Sequence, residues 1–301
     1  MTTSCCPGHA WYENGQSALA GPAFDLYMRL DAMFLRLARR LGAVEHHFPT
    51  FIPAKNLAKM NYFHSFPHAV TFPVSLDRDD DNLEAFRRNA DSDALAGQAV
   101  TLTHTMEVKD VLTPAACYHF YPLYSGKTLD KPLRLTTRAQ CHRREDYYEP
   151  LRRQWSFGMR EIVTIGSAEE ARTFIEQAKV EVAAMLDSLG LKAVPTIATD
   201  PFFRPEKNAA WLIQKLDPVK TEFVFGGDLA VASANLHYDH FGSAFEITRE
   251  GRPAHTACLA FGMERWVHMM LKVHGSDPAN WITPDASQTT PVVARHERVM
   301  A

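Results

Sequence analysis

The sequence predicts an α+β fold in which an antiparallel sheet is flanked by helices. A long amphipathic helix comes early in the chain, strand-like runs cluster later, and helices lie at the ends. This order favours an antiparallel sheet over a doubly wound fold, in which helices and strands alternate. With 301 residues, the chain is long enough for one large domain or for two unequal ones.

Composition and charge indicate a soluble globular protein. Hydrophobic residues make up 46% of the chain, and 32 basic against 35 acidic side chains leave a net charge of −3. This balance provides no overall drive towards nucleic acid or anionic membranes, although it permits a local basic cleft. We find no uncharged apolar stretch of membrane-spanning length and no signal-peptide pattern in the first residues. Five cysteines, an odd number, argue against a disulfide framework and favour a reducing, cytoplasmic location.

The N-terminal part of the chain predicts one long helix and several short elements. Residues 1–21 have no apolar periodicity and are expected to form a flexible arm. Between Leu26 and Leu41 apolar residues recur every three or four positions, which predicts an amphipathic helix that ends at Gly42. Shorter predicted elements are a strand over 44–48, a helix over 54–62 and a charged, solvated helix within 77–92.

The rest of the chain predicts the strands of the sheet. Residues 133–141 and 155–165 are β-like and are separated by a polar loop, so they can pair as an antiparallel hairpin. A helix is predicted over 168–189, where Ser167 and Glu170 form a capping box. Further along the chain we predict a helix over 209–216 and strands over 221–225, 230–238 and 243–248. Residues 255–261 lead into a last helix over 263–274. The main domain is expected over 22–275, followed by a peripheral C-terminal tail over 276–301.

The predicted hairpin carries the strongest sign of chemistry. At a strand period of two, Arg143 and Glu145 share one face, and Phe157 and Glu161 share one face of the partner strand. This combination suits a nucleoside triphosphate, because arginines bind phosphate oxygens in bidentate fashion, phenylalanine stacks on a base and glutamate accepts from an exocyclic amine. An exposed hairpin with weak surface ion pairs is the alternative interpretation.

A second candidate lies where the last helix begins. Gly262 allows a close backbone approach, and Arg265 falls in the first helical turn, where the helix dipole disfavours a cation. A bound phosphate would account for an arginine at this position. The alternative is a capped helix that carries a solvated arginine.

In this order, three segments resemble the signature motifs of class II aminoacyl-tRNA synthetases, and the seryl-type core is the best match. They are a helix, strand and proline over 26–49, an Arg-x-Glu…Arg…Phe hairpin over 143–161 and a Gly-x-x-Arg helix start over 261–265. The stretches LTPAAC (112–117), WSFGMRE (155–161), DHFG (239–242) and HTACLAFGMER (255–265) are similar to the amino acid:[carrier protein] ligases. Those enzymes are truncated homologues of the catalytic core of archaeal-type, zinc-dependent seryl-tRNA synthetases.

The resemblance, which covers roughly residues 22–275, implies both a fold and an activity. The fold is a class II synthetase-like catalytic domain that forms a homodimer through the first motif. The activity is the ATP-dependent activation of a small amino acid, glycine or alanine, as an aminoacyl-adenylate. The aminoacyl group then passes to the phosphopantetheine thiol of a carrier protein, which makes the protein an AMP-forming ligase.

The resemblance also implies a zinc site made of Cys117, Glu161 and Cys258. Two thiolates and a carboxylate suit Zn²⁺ and leave a fourth position for the amino group of the substrate. Glu161 and Asn235 would contact the substrate amino acid. The residues alone leave another interpretation open, in which both cysteines belong to the core and the glutamate to a strand. The cysteines expected not to bind the metal are Cys5, Cys6 and Cys141.

An ATP site is implied along the hairpin and the last helix. Arg143 would contact the α-phosphate and offset developing charge, and Arg265 would stack on the base or bind the γ-phosphate; these are the expected catalytic residues. Glu145 would receive the adenine amine or the ribose edge. Arg153 would hold the γ-phosphate, and Phe157 would lie under the base.

A Lys-x-Glu pair on a later strand matches the segment that holds ATP and Mg²⁺ in relatives. It consists of Lys220 and Glu222, with Ser233 on the next strand. An exposed ion pair on a strand would produce the same pattern. Near the cleft, His119 and His237 are candidates to assist deprotonation of the thiol, although core or surface histidine is the alternative for both.

Three classes of function compete: a carrier-protein ligase, an enzyme of the same core that aminoacylates tRNA or another acceptor, and a non-catalytic synthetase paralogue. The short N-terminal segment and the mildly acidic charge disfavour tRNA. The motif arginines and the three metal-ligand candidates are present, which disfavours the paralogue. The expected partners are therefore ATP, a small amino acid and a phosphopantetheinylated carrier protein, with no membrane.

Overall fold

A seven-stranded sheet forms the centre of the computed structural model, which describes residues 4–88, 90–97, 99–217 and 219–281. The first strand in spatial order runs parallel to its neighbour, and all other pairings in this sheet are antiparallel. The predicted antiparallel sheet is therefore confirmed. In spatial order the strands are β3 (Val44–His46), β7 (Leu133–His142), β8 (Ser156–Gly166), β14 (His255–Gly262), β11 (Leu229–Leu236), β10 (Lys220–Phe225) and β9 (Val194–Ile197).

Three smaller sheets and ten helices complete the described elements. The small sheets pair β1 (His9–Tyr12) with β2 (Gln16–Leu19), β4 (Phe51–Pro53) with β5 (Asp110–Leu112), and β12 (Thr248–Arg249) with β6 (Thr128–Leu129) and β13 (Arg252–Pro253). The helices are α1 (Gly21–Arg40), α2 (Ala54–Lys59), α3 (Tyr62–Ser65), α4 (Asp80–Arg87), α5 (Ala90–Leu95), α6 (Phe120–Leu123), α7 (Ala168–Ser188), α8 (Ala209–Leu216), α9 (His240–Ala244) and α10 (Met263–His274). Single 3₁₀ turns lie at Pro67–Ala69, Ala116–His119, Pro205–Lys207 and Pro278–Asn280.

Helix α1 forms where the apolar periodicity predicts it. Leu30 and Phe34 are fully buried, and the ring of Phe34 stacks on Phe261 of β14 with centroids 4.1 Å apart. Full burial of one such side chain stabilises the fold by about 1.5–3 kcal/mol. The capping box that starts α7 is also confirmed, because Ser167 N–H donates to Glu170 and Glu170 N–H donates back to Ser167 Oγ at 3.3 Å.

The sheet separates two apolar clusters, and strand β14 contributes to both. Leu259 and Phe261 pack in the cluster that contains α1, α7 and α10, whereas Cys258 and Ala260 belong to the cluster on the opposite face. This is the period-two alternation of a strand that is buried on both faces. The second face carries the shorter helices and, as described below, the cavity.

Some expectations for the fold are wrong. Residues 9–19 are not a flexible arm but a hairpin, because Trp11 and His9 are buried. The strand predicted over 243–248 is replaced by α9 and the short β12, since Phe241 and Phe245 bury at the helical spacing of four. Residues 255–262, for which only a lead into the last helix was expected, form strand β14, and α10 follows directly at Met263.

The C-terminal tail is described as far as residue 281. Trp281 is buried and packs in the same cluster as α10, so this part is not peripheral. The rest of the expected tail, residues 282–301, lies outside the described residues. Among the helices that the structure describes, none has the length and apolar character of a membrane span.

Candidate active site

A cavity of about 510 Å³ opens on the face of the sheet that carries Glu161 and Cys258. Strands β8, β10, β11 and β14, the loop that follows β7, the start of α10 and the turn Ala116–His119 all contribute residues to its wall. Every residue expected from the sequence to contact the metal, ATP or the amino acid lies on this wall. They are Cys117, Arg143, Glu145, Arg153, Phe157, Glu161, Lys220, Glu222, Ser233, Asn235, Cys258 and Arg265.

Three potential metal ligands meet at the base of the cavity. Cys117 comes from the 3₁₀ turn, Glu161 from the middle of β8 and Cys258 from β14, and all three side chains are buried. Their ligand atoms lie within 4.8 Å of one another. Glu161 and Cys258 share a sheet face because β8 and β14 are hydrogen-bonded neighbours in which Glu161 pairs with Ala260.

Burial favours the neutral forms of these three groups. Burial, with the hydrogen bond to Cys258 and the charge of Glu161, raises the pKa of the Cys117 thiol well above its ordinary value. Burial also raises the pKa of Glu161, although the Cys117 N–H opposes this shift. A bound divalent cation would favour the ionised forms of all three groups. The donor set of two sulfurs and one carboxylate therefore fits Zn²⁺.

Two further side chains approach Cys258. Asn235 donates to Cys258 Sγ at 3.3 Å and to Ser233 Oγ at 3.1 Å. His237 Nε2 lies 3.6 Å from the same sulfur, and burial lowers the pKa of this histidine to about 4. The other histidine considered from the sequence, His119, does not line the cavity and stacks on Phe48 with ring centroids 5.1 Å apart.

A cluster of arginines lines another part of the cavity. Arg143 donates to the carbonyl of Pro114 at 2.8 Å, and its guanidinium lies 5.5 Å from the ring centre of Phe157. Burial, together with the positive charges of Arg143 and Arg153, lowers the pKa of Arg265. Cations held this close repel each other, and a polyanion such as a triphosphate would relieve that repulsion.

The two ends of the loop between β7 and β8 hold each other. Arg153 and Glu145 form an ion pair at 2.6 Å. Both residues were expected to contact ATP, and in this structure they bind each other. Inside the cavity, Arg265 Nε donates to the carbonyl of Arg152 at 2.8 Å, which ties the loop to the start of α10.

The Lys-x-Glu pair has a partner that the sequence did not suggest. Lys220 binds Asp200 at 2.6 Å as well as Glu222 at 3.0 Å, and Glu222 lies opposite Ser233 across the β10–β11 pair. Burial by itself would raise the pKa of Asp200, but the ion pair with Lys220 holds this pKa below its ordinary value. Asp200 also exchanges two hydrogen bonds of 2.8 Å with Gln214 of α8. No local pattern marks Asp200, since this contact joins a loop to a strand.

Glu264 is a second cavity residue that the sequence reasoning missed. Both of its carboxylate oxygens accept from the Gly158 N–H, at 2.9 and 3.0 Å. Burial raises the pKa of this carboxyl to about 7. Glu264 lies beside Arg265 in the first turn of α10, where the helix dipole favours an acid. This position could have marked Glu264 as a candidate from the sequence.

The fold and this cavity agree with comparisons to known proteins. Residues 103–274 match the family described as the tRNA synthetase class II core domain (G, H, P, S and T). Amino acid–[acyl-carrier-protein] ligase 1 of Bradyrhizobium diazoefficiens is 33% identical over 91% of this chain and 84% of its own. Ligase 2 of the same organism is 32% identical over 85% of this chain and 77% of its own.

Seryl-tRNA synthetases are more distant relatives and are longer. The type-2 serine–tRNA ligase of Methanopyrus kandleri is 27% identical over 90% of this chain but 55% of its own length. A crystal structure of the M. kandleri enzyme with tRNASec of A. aeolicus superposes with a TM-score of 0.75 at 25% identity, over 90% of this chain and 56% of that chain.

A family match over more than half of the chain and a 33% identical relative that aligns along most of both chains lead to one conclusion. This protein is a ligase that belongs to the amino acid–[acyl-carrier-protein] ligase family, which is built on the class II aminoacyl-tRNA synthetase core.

Proposed function

We propose that this protein activates glycine or alanine with ATP and transfers the aminoacyl group to the phosphopantetheine thiol of a carrier protein. The observation that carries the proposal is one cavity with two kinds of ligand site. Its wall contains a Cys/Glu/Cys donor set for a metal and, beside it, arginines that favour a polyanion. The printed names of the two Bradyrhizobium relatives, amino acid–[acyl-carrier-protein] ligases, support the carrier protein as acceptor.

The donor set supplies the site for the amino acid. Cys117, Glu161 and Cys258 would hold Zn²⁺, which when bound supplies a Lewis acid that accepts the neutral amino group of an α-amino acid. Asn235, whose amide reaches both Cys258 and Ser233, would contact the same substrate.

Aromatic rings next to the donor set favour a small side chain. Tyr118 and Phe241 both line the cavity, with ring centroids 5.9 Å apart. The ring of His237 lies 5.0 Å from that of Phe241 and close to Cys258. These rings restrict the space beside the bound amino group, which supports glycine or alanine over larger amino acids.

The arginines and the acidic strand residues would hold ATP for the first half-reaction. An oxygen of the amino-acid carboxylate attacks the α-phosphorus, the bond to the β-phosphate oxygen breaks, and pyrophosphate leaves. Arg143 would offset the charge that develops at the α-phosphate, Phe157 would lie under the base, and Arg265 would stack on the base or bind the γ-phosphate. Glu222 and Ser233, which face each other across two strands, would hold Mg²⁺ with ATP. Positioning and electrostatics account for this step, so it requires no general base from the protein.

In the second half-reaction the phosphopantetheine sulfur attacks the activated carbonyl carbon. The thiol proton is released, the carbon–oxygen bond to the adenylate breaks and AMP leaves. His237, which lines the cavity beside Cys258, would assist the loss of this proton.

The expected assembly is a cytoplasmic homodimer formed through the face that α1 and β3 share. The apolar side chains of Phe24 and Met28 on α1 and of Val44 on β3 are 46%, 38% and 58% exposed, and a second copy of the chain would cover them. Sedimentation analysis should find a dimer for the wild type and a monomer for Met28→Lys. If the Met28→Lys variant is also a dimer, the interface lies elsewhere.

Pyrophosphate exchange tests the proposal with single amino acids. The zinc-loaded protein is mixed with ATP, labelled pyrophosphate and one amino acid at a time, and exchange is expected with glycine or alanine. Labelled amino acid should then appear on a holo carrier protein, but not on the same carrier without phosphopantetheine. If no amino acid supports exchange, the activation step is wrong. Charging of a tRNA pool without charging of any carrier would favour the tRNA alternative.

A further inference from the structure

The N-terminal hairpin β1–β2 lies against the loop between β7 and β8. The Trp155 N–H, at the end of that loop, donates to the carbonyl of Gly15 at 2.8 Å. Gly15 has φ of +88°, and a Cβ added there would come 2.7 Å from the ring of Tyr148, so the turn and the loop are in direct contact. No sequence motif suggested this contact.

A directional chain of hydrogen bonds joins the hairpin to Gln154. The Cys5 N–H donates to His9 Nδ1 at 3.0 Å, so this nitrogen carries no proton. His9 Nε2 then donates to Ser17 Oγ at 3.1 Å, and the Ser17 hydroxyl donates to Gln154 Oε1. His9 and Gln154 are each 5% exposed. Burial lowers the pKa of His9, in agreement with the neutral ring that the chain requires.

The loop is therefore held from two sides. On the cavity side, Arg265 binds the carbonyl of Arg152, and Arg152, Arg153 and Gln154 all line the cavity. On the outer side, the hairpin holds the backbone of Trp155 and the side chain of Gln154.

We propose that hairpin β1–β2 positions this loop for ATP, with Ser17 and Gly15 as positioning residues that act through Gln154 and Trp155. The inference rests on the proposed ATP site. Loss of the outer contacts would let the loop move, so its arginines would have to be ordered when ATP binds. The KM for ATP should then rise, because ordering a loop on binding opposes affinity. The KM for the amino acid should not change, since Cys117, Glu161 and Cys258 lie on other elements.

The test compares Ser17→Ala and Gly15→Ala with Gln16→Ala, whose side chain is exposed on the same hairpin. Pyrophosphate exchange should show a KM for ATP that rises roughly three- to tenfold in Ser17→Ala, the effect of one lost hydrogen bond. Gly15→Ala should have at least this effect because it also strains the turn. Ser17→Thr, which keeps the hydroxyl, should restore the wild-type KM, and Gln16→Ala should leave it unchanged. Equal increases in both KM values, or the same effect in Gln16→Ala, would overturn the proposal.

Amide hydrogen exchange without substrates separates this inference from the proposed function. The Trp155 amide should exchange faster in Ser17→Ala and Gly15→Ala than in the wild type, while thermal unfolding temperatures stay close. If the wild type fails to activate any amino acid, the proposed function is wrong, and direct ATP binding by calorimetry still tests the positioning role. Unchanged Trp155 exchange in both variants would show that the hairpin does not hold the loop.

Discussion

The backbone N–H of Cys117 donates to Oε2 of Glu161 at 2.5 Å. This bond joins the turn after β5 to the middle of the central strand β8 and brings the Cys117 sulfur to the carboxylate and to Cys258. Because the bond uses the backbone of Cys117, it leaves that side chain free to serve as a ligand. The metal site and the central sheet are therefore parts of one packed structure.

Removal of either sulfur should abolish zinc binding. We expect Cys117→Ala and Cys258→Ala to lose the metal and pyrophosphate exchange together, because two ligands rarely hold Zn²⁺ in a structure. Metal content is measured by emission spectrometry on the purified proteins. Cys141→Ala is the matched control: Cys141 is buried in the same cluster but is not one of the three grouped ligands, so this variant should keep its zinc. Retained zinc in Cys117→Ala would show that the ligand set is wrong.

Replacement of Arg143 should separate catalysis from metal binding. Arg143→Ala is expected to lower the adenylation rate about a hundredfold, since it removes a donor that offsets charge in the transition state. Its zinc content should equal that of the wild type, because the guanidinium binds Pro114 and Phe157 and not the metal ligands. Single-turnover adenylation measures the rate, and metal analysis of the same preparation measures the zinc content. A wild-type rate in this variant would exclude Arg143 from the ATP site.

Loss of the buried ion pair between Arg160 and Asp31 should destabilise the fold more than loss of an exposed ion pair does. Arg160 is 3% exposed and binds both oxygens of Asp31, at 2.5 and 3.1 Å. Asp31→Ala leaves this cation buried without its main partner and should lower the free energy of unfolding by about 3–5 kcal/mol. Glu84→Ala, which breaks the exposed pair with Arg87, should cost less than about 1 kcal/mol. Urea unfolding measures both, and equal losses would contradict the argument.

His268 should make the fold less stable in acid. Burial, with the charges of Arg152 and Lys272, lowers the pKa of His268 from 6.5 to about 4. Between these values the unfolded chain binds a proton that the folded chain does not, so the free energy of unfolding falls as pH decreases from about 6.5 towards about 4. His268→Gln should reduce the difference between unfolding midpoints measured at pH 7 and pH 5. The exposed control His64→Gln should leave that difference unchanged, and the same result for His268→Gln would contradict the prediction.

Local patterns predicted most of the fold. Three features that depend on residues close in sequence lie where they were expected. They are the apolar face of α1, the β7–β8 hairpin and the capping box at Ser167. Errors arose where a short apolar run fits two periods. Phe245 lies in the segment 243–248 that was predicted to be a strand, but the burial of Phe241 and Phe245 against Tyr121 selects a helix.

The sequence by itself determined most of the helices and strands and, through its family resemblance, the candidate site residues. The tertiary structure alone brought the ligand atoms of Cys117, Glu161 and Cys258 within 4.8 Å of one another. It also paired Lys220 with Asp200 and placed the N-terminal hairpin against Gln154. The physical reason is that periodicity and capping act over a few neighbouring residues, whereas these contacts join segments far apart in the chain. Such contacts form only when strand pairing and core packing bring their backbones together.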